Sequence, residues 1–149
     1  MKNFYEITDI DTSNAIDIKI SIAPIHYNKN KMSCVIAING TNLYTGVPER
    51  PFDVFYKLGL LEPIEFTFVV DGKRDGDTCN DGDVAIVIES ITINGHEIVY
   101  ECKQVAEYIS ENCSIEPLNY MGFNGIQTIT ISKPFYQWLH NVRPWGWIA

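Results

Sequence analysis

Residues 64–95 read Ile64-Glu-Phe-Thr-Phe-Val-Val-Asp-Gly-Lys-Arg-Asp-Gly-Asp-Thr-Cys-Asn-Asp-Gly-Asp-Val-Ala-Ile-Val-Ile-Glu-Ser-Ile-Thr-Ile-Asn-Gly95. Ile64, Phe66, Phe68 and Val70 alternate with Glu65 and Thr67, the pattern of a strand with one buried and one wet face. Val84 to Ile93 is a second, β-branched strand. Asn94-Gly95 closes it, because both residues tolerate the positive φ of a tight hairpin turn. Between the strands lies an acidic loop, Asp71 to Asp83, with five Asp, one Asn and three Gly in thirteen residues.

Working outward, the same period recurs. Ile16, Ile18, Ile20 and Ile22 alternate with Asp17, Lys19 and Ser21. Met32 to Ile38 places Cys34, Ile36 and Ile38 on one face and ends at Asn39-Gly40, with Thr41 to Tyr44 as its return strand. Phe52, Val54, Tyr56 and Leu58 mark another strand, Ile98 to Tyr100 a return strand, and Ile126 to Ile131 the last one. About eight short strands with Gly, Pro or Asn turns predict an all-β fold, a single β-sandwich of jelly-roll type spanning residues 1–149. Ile18, Ile20, Cys34, Ile36, Phe66, Phe68, Ile86 and Ile88 are its expected core. Two segments depart from period two. Glu101 to Asn112 carries Val105, Tyr108 and Ile109 at helical spacing and predicts a short helix. Phe135, Trp138, Leu139 and Val142 predict a second one, with Pro134 at its first turn and Arg143-Pro144 as its stop. Residues 134–149 thus form a C-terminal helix and an aromatic tail, expected to pack on the domain or on a partner.

The chain carries 19 acidic and 11 basic residues, a net charge of −8. The stretch from Asp71 to Glu116 holds eleven of the acids and three of the bases, so the remainder is neutral. No basic face is available for nucleic acid. The first residues lack an apolar signal core, and no apolar run is long enough to span a membrane, so a chain made in the cytoplasm without a signal peptide is expected. The four cysteines show no Cys-x-x-Cys spacing and predict neither a disulfide framework nor a zinc site with the scattered histidines. No nucleophile elbow, phosphate loop or His-Glu-x-x-His motif is present, and no catalytic residue is assigned. The expected role is non-enzymatic.

Two features remain as candidate sites. In the acidic loop, Asp75, Asp77, Asp81 and Asp83 are candidate ligands of one cation, most naturally calcium, which takes six to eight oxygens around tight turns. An EF-hand loop starting at Asp77 is excluded, because its position three is Cys79, its position twelve is Ile88, and the flanks are strands. The alternative is a solvated turn in which Lys73 and Arg74 neutralise part of the acid. In the tail, Trp145, Trp147 and Tyr136 are candidate contacts to a partner or ligand, since aromatic side chains stack on sugars and anchor interfaces.

The order strand, acidic loop, strand, Asn-Gly resembles the calcium-dependent xylan-binding carbohydrate-binding modules. That resemblance implies a β-sandwich whose loop oxygens hold calcium while sugar hydroxyls complete its shell. The ending Met121-Gly-Phe-Asn-Gly-Ile-Gln-Thr-Ile-Thr-Ile, followed by Lys133-Pro-Phe-Tyr-Gln-Trp-Leu, resembles that of small tailed-bacteriophage virion proteins. It implies a structural or adhesion module of a virion, bound to other protein chains of that assembly. The leading expectation is the virion component and the alternative is a calcium-dependent glycan-binding module; the two need only the sandwich in common.

Overall fold

The computed structural model describes residues 15–27, 30–59, 63–74, 78, 82–110, 113–117, 119–131 and 135–142. Among these residues eleven strands run in the order β1 (Ala15–Ile25), β2 (Ser33–Ile38), β3 (Thr41–Gly46), β4 (Phe52–Gly59), β5 (Ile64–Asp71), β6 (Ala85–Ile93), β7 (His96–Glu97), β8 (Ala106–Ser110), β9 (Cys113–Ile115), β10 (Tyr120–Met121) and β11 (Gly125–Ile131). One sheet has the order β10-β6-β1-β4, with β7 paired to β6, and the other has the order β3-β2-β5-β11-β8-β9. All the pairings are antiparallel. The buried side chains of both sheets form one apolar cluster. The expected all-β sandwich is therefore the observed fold.

Alternation decides which side chains enter that cluster. Ile16, Ile18, Ile20 and Ile22 of β1, Cys34, Ile36 and Ile38 of β2, and Ile64, Phe66, Phe68 and Val70 of β5 are all buried. On β6 the phase changes, from Ile86 and Ile88 to Ile91 and Ile93. A bulge absorbs the change: Ser21 pairs with Ser90 but Ile22 with Ile88, leaving Glu89 as the extra residue. Without that bulge, one of the two isoleucine pairs would face solvent. Cys34 and Cys102 are buried as small apolar residues, and burial pushes the Cys34 thiol up to about 12.

Both Asn-Gly turns adopt the left-handed geometry that the sequence predicts. Asn39 and Gly40 have φ of 49° and 82°, and Asn94 and Gly95 have φ of 51° and 86°. Each Asn also continues a neighbouring strand. The Asp17 amide donates to Asn94 Oδ1 at 2.7 Å, and the Glu65 amide donates to Asn39 Oδ1 at 2.8 Å. Asn94→Ala should therefore lower stability by about 1–2 kcal/mol, through left-handed strain and the lost acceptor. A urea melt checks this, and an unchanged midpoint would contradict it.

Two sequence expectations are corrected. The return strand after Asn94-Gly95 is His96–Glu97, not Ile98 to Tyr100. Glu97 ends it by accepting from Ser90 Oγ at 2.5 Å and from the amides of Ile91 and Val99 at 3.0 and 3.1 Å. The chain then turns into α1 (Val99–Cys102) and a 3-10 turn over Lys103–Val105. The helix expected over 101–112 is confined to those turns, and Ala106–Ser110 is a strand with Tyr108 buried and Ile109 exposed. Pairing with β11 satisfies its backbone, which an isolated helical turn at the sheet edge would leave to water. The second expected helix forms as α2 (Phe135–Val142), with Phe135, Trp138 and Leu139 buried in the core. Among the described residues no helix is long and apolar enough to cross a membrane.

Candidate functional site

The acidic loop leaves β5 in one sheet and returns as β6 in the other, so it bridges the two layers at one end of the sandwich. Its stems are held by close backbone packing. Gly72 has φ of 102°, and its carbonyl accepts from Asn30 Nδ2 at 3.1 Å. Gly82 lies against the ring of Tyr27, where an added Cβ would come within 2.4 Å of a ring carbon. Only glycine fits between that ring and the backbone.

Asp83 is the hub of the loop base. Its Oδ1 accepts from Lys73 Nζ at 2.7 Å, Thr78 Oγ1 at 2.5 Å and its neighbour's amide, Val84, at 2.8 Å. Its Oδ2 accepts from the Tyr120 hydroxyl at 2.5 Å. Burial alone would raise this carboxyl, but the donors from Lys73, Thr78, Tyr120 and Val84 outweigh it and hold Asp83 well below the usual carboxylate range. For Tyr120, burial first and then the Asp83 carboxylate push the phenol up to about 12.

Lys73 ties this hub to the segment between β10 and β11. Its ammonium also donates to the Gly122 carbonyl at 2.8 Å, and its side chain is only 15% exposed. Its amide donates to Asn124 Oδ1 at 2.8 Å, and Asn124 Nδ2 donates back to the Lys73 carbonyl at 2.9 Å. Tyr108 and Ser110 of β8 donate their hydroxyls to the carbonyls of Phe123 and Asn124. Strands β8 and β10, one from each sheet, and the segment between β10 and β11 thus brace the loop base through hydrogen bonds to Lys73 and Asp83, which are themselves joined by a salt bridge.

Of the four aspartates expected to ligate a cation, Asp83 is the one among the described residues, and Asp75, Asp77 and Asp81 lie outside them. Four donors engage the Asp83 carboxylate in the fold. Three donors fill Oδ1, and calcium would need an oxygen at about 2.3–2.6 Å where an ammonium already stands. Asp83 forms an ion pair with Lys73 at 2.7 Å. Among the described residues no group of three His, Cys, Asp or Glu could hold a metal. Trp145 and Trp147 lie outside the described residues, and of Tyr136 only the backbone, within α2, is described. Tyr120, Gly122 and Asn124 carry no local motif. They lie 37 to 51 residues from their partners in the loop, so their part in the site becomes visible only in the fold.

No protein-family model matches the chain, and no curated protein matches it. Two solved structures are similar. One is the selenomethionine form of vCBM60, a protein in which circular permutation provides an evolutionary link between two families of calcium-dependent carbohydrate binding modules. Its TM-score is 0.47 at 14% identity, over 79% of this chain and 91% of that one. The other is vCBM60 in complex with galactobiose, with a TM-score of 0.43 at 14% identity, over 78% and 97% of the two chains. The assignment of this chain to the sandwich class rests on its own two sheets.

Proposed function

We propose that the chain is a non-catalytic recognition module whose acidic loop holds calcium and presents it to a glycan. The observation that carries this reading is the braced loop base. Asp83 is neutralised within the fold, while Asp75, Asp77 and Asp81 crowd the seven positions from 75 to 81, where Arg74 is the neighbouring base. Carboxylates so close along the chain disfavour one another's ionised forms unless a cation offsets them. Calcium does so with carboxylate, carbonyl and water oxygens, and hydroxyls of a sugar can take the place of the waters. Asp75, Asp77 and Asp81 are the proposed ligands, and Asp83 and Lys73 fix the stems between which they are strung. Loops at the end of a rigid sandwich are a common place for recognition. The Asp83 carboxyl is driven down, which is the opposite of what a general acid needs. A virion role gains no support from the fold or from the similar structures.

The test is retention on immobilised glycans, with galactobiose among the probes, in millimolar calcium and then in chelator. Retention in calcium that is lost in chelator, and lost in the Asp77→Asn, Asp81→Asn double variant, is the expected result. Retention that ignores the chelator, or no retention on any glycan, would overturn the reading.

A further inference from the structure

Among the described residues strand β4 ends the sheet β10-β6-β1-β4 and pairs only with β1. It is eight residues long, whereas the end strands β9 and β10 have three and two. Among the described residues its outer backbone edge meets no partner. Such an edge is a ready template for another strand. Along its outward face stand Asp53, Phe55 and Lys57, all exposed, with Phe55 68% exposed. A shallow depression beside Phe55 is lined by Asp17, Ile18, Phe55, Tyr56 and Lys57.

This order is self-complementary. In an antiparallel pair centred on Phe55, Asp53 faces Lys57 of the second copy and Lys57 faces Asp53. The two Phe55 rings meet as a cross-strand aromatic pair, and Val54 lies opposite Tyr56 on the inner face. Opposite charges and aromatics directly across a sheet attract, whereas like charges there repel. A parallel in-register pairing would set Asp against Asp and Lys against Lys. Lys57 donates to Asp17 at 2.9 Å within its own chain, but its side chain remains 67% exposed. An ammonium has three protons to share.

We propose that β4 is a homodimer surface, joining two copies about a two-fold axis at Phe55 into one continuous sheet. The occupant is a second copy, because the charge pattern matches itself in one orientation only, and a closed two-fold contact consumes the β4 edge of both copies. A single strand pair buries less surface than a permanent dimer, so association is weak and concentration-dependent. The surface is separate from the acidic loop and does not depend on the glycan reading.

The test is sedimentation velocity on the full chain, over a concentration series from about 10 μM to 1 mM, the range in which a contact of this size is populated. Amide exchange of residues 52–59 is measured in parallel. A monomer–dimer equilibrium is expected, with those amides gaining protection as concentration rises. Lys57→Asp places acids opposite acids and should weaken the dimer at least tenfold, by about 1.4 kcal/mol or more. Asp53→Lys combined with Lys57→Asp restores the pattern and should restore the dimer. Thermal midpoints confirm that each variant is folded. A chain that is monomeric throughout would overturn the proposal. So would a dimer indifferent to the single reversal, one not rescued by the double, or amides protected equally at every concentration.

Discussion

Phe68→Ala will lower the unfolding free energy by about 3–5 kcal/mol. Phe68 is fully buried at the centre of β5, whose neighbours are β2 on one side and β11 on the other. Its register partners are Ile36 and Gln127, both buried. Truncation removes the ring's transfer free energy and leaves a cavity in a layer where strands on both sides resist collapse. Chemical unfolding followed by tryptophan fluorescence measures the change. A variant with the native midpoint would mean that the inner face of the six-stranded sheet is not the core.

The second large effect is expected at the loop base. Asp83→Asn should cost about 2–4 kcal/mol, because it leaves the largely buried Lys73 ammonium without its counter-ion. Asp83 itself is 25% exposed, so the upper end of that range applies only if water does not reach Lys73. The loss has a pH signature. The folded carboxyl sits below its ordinary value of 3.8. As pH falls past that value the unfolded chain takes up the proton first, so stability declines. The contribution is fully present above that value and is lost as pH falls through the lower, folded one. In Asp83→Asn this part of the acid limb should flatten. Tyr120 acts at the other extreme. Its folded phenol is raised from 10.0 to about 12, so its contribution is complete below 10 and fades as pH rises toward 12. Equilibrium unfolding across pH reads both limbs, and an Asp83→Asn profile parallel to the wild-type one would contradict the assignment.

Much of the sandwich is legible in residues alone, because strand phase is a local property. Ile16 to Ile22 and Ile64 to Val70 declare their buried faces without help from the rest of the chain. The bulges in β6, at Glu89, and in β3, at Leu43, were not read from the sequence, because a register shift shows only against the partner strand. Val105, Tyr108 and Ile109 misled because five residues of Ala106–Ser110 satisfy a helical spacing as well as an alternation. The arbiter was β11, whose free side needed a partner, and a partner is a tertiary fact. The acidic loop was legible as a cluster of charge, and so was neutralisation by its own bases. What holds it was not. Tyr120 and Asn124 carry no signal in the sequence that ties them to the loop, and only the closing of β10 onto β6 and of β11 onto β5 carries them to Lys73 and Asp83.

These two halves of the loop separate in experiment. Changes at Asp83 or Lys73 should act on stability whether or not calcium is present, whereas changes at Asp77 and Asp81 should act on calcium alone. A ligand that binds only the folded chain stabilises it by mass action, so calcium should raise the wild-type thermal midpoint and leave that of the Asp77→Asn, Asp81→Asn variant where it was.

Calorimetric titration of calcium into the intact, chelator-treated chain decides between a calcium site and a solvated turn. Saturable binding at one site is expected, abolished in Asp77→Asn, Asp81→Asn and accompanied by a rise in the thermal midpoint of the wild type. No binding heat up to millimolar calcium, together with an unmoved midpoint, would show that the loop is a solvated turn braced by Lys73 and Asp83, and would contradict the calcium-dependent reading.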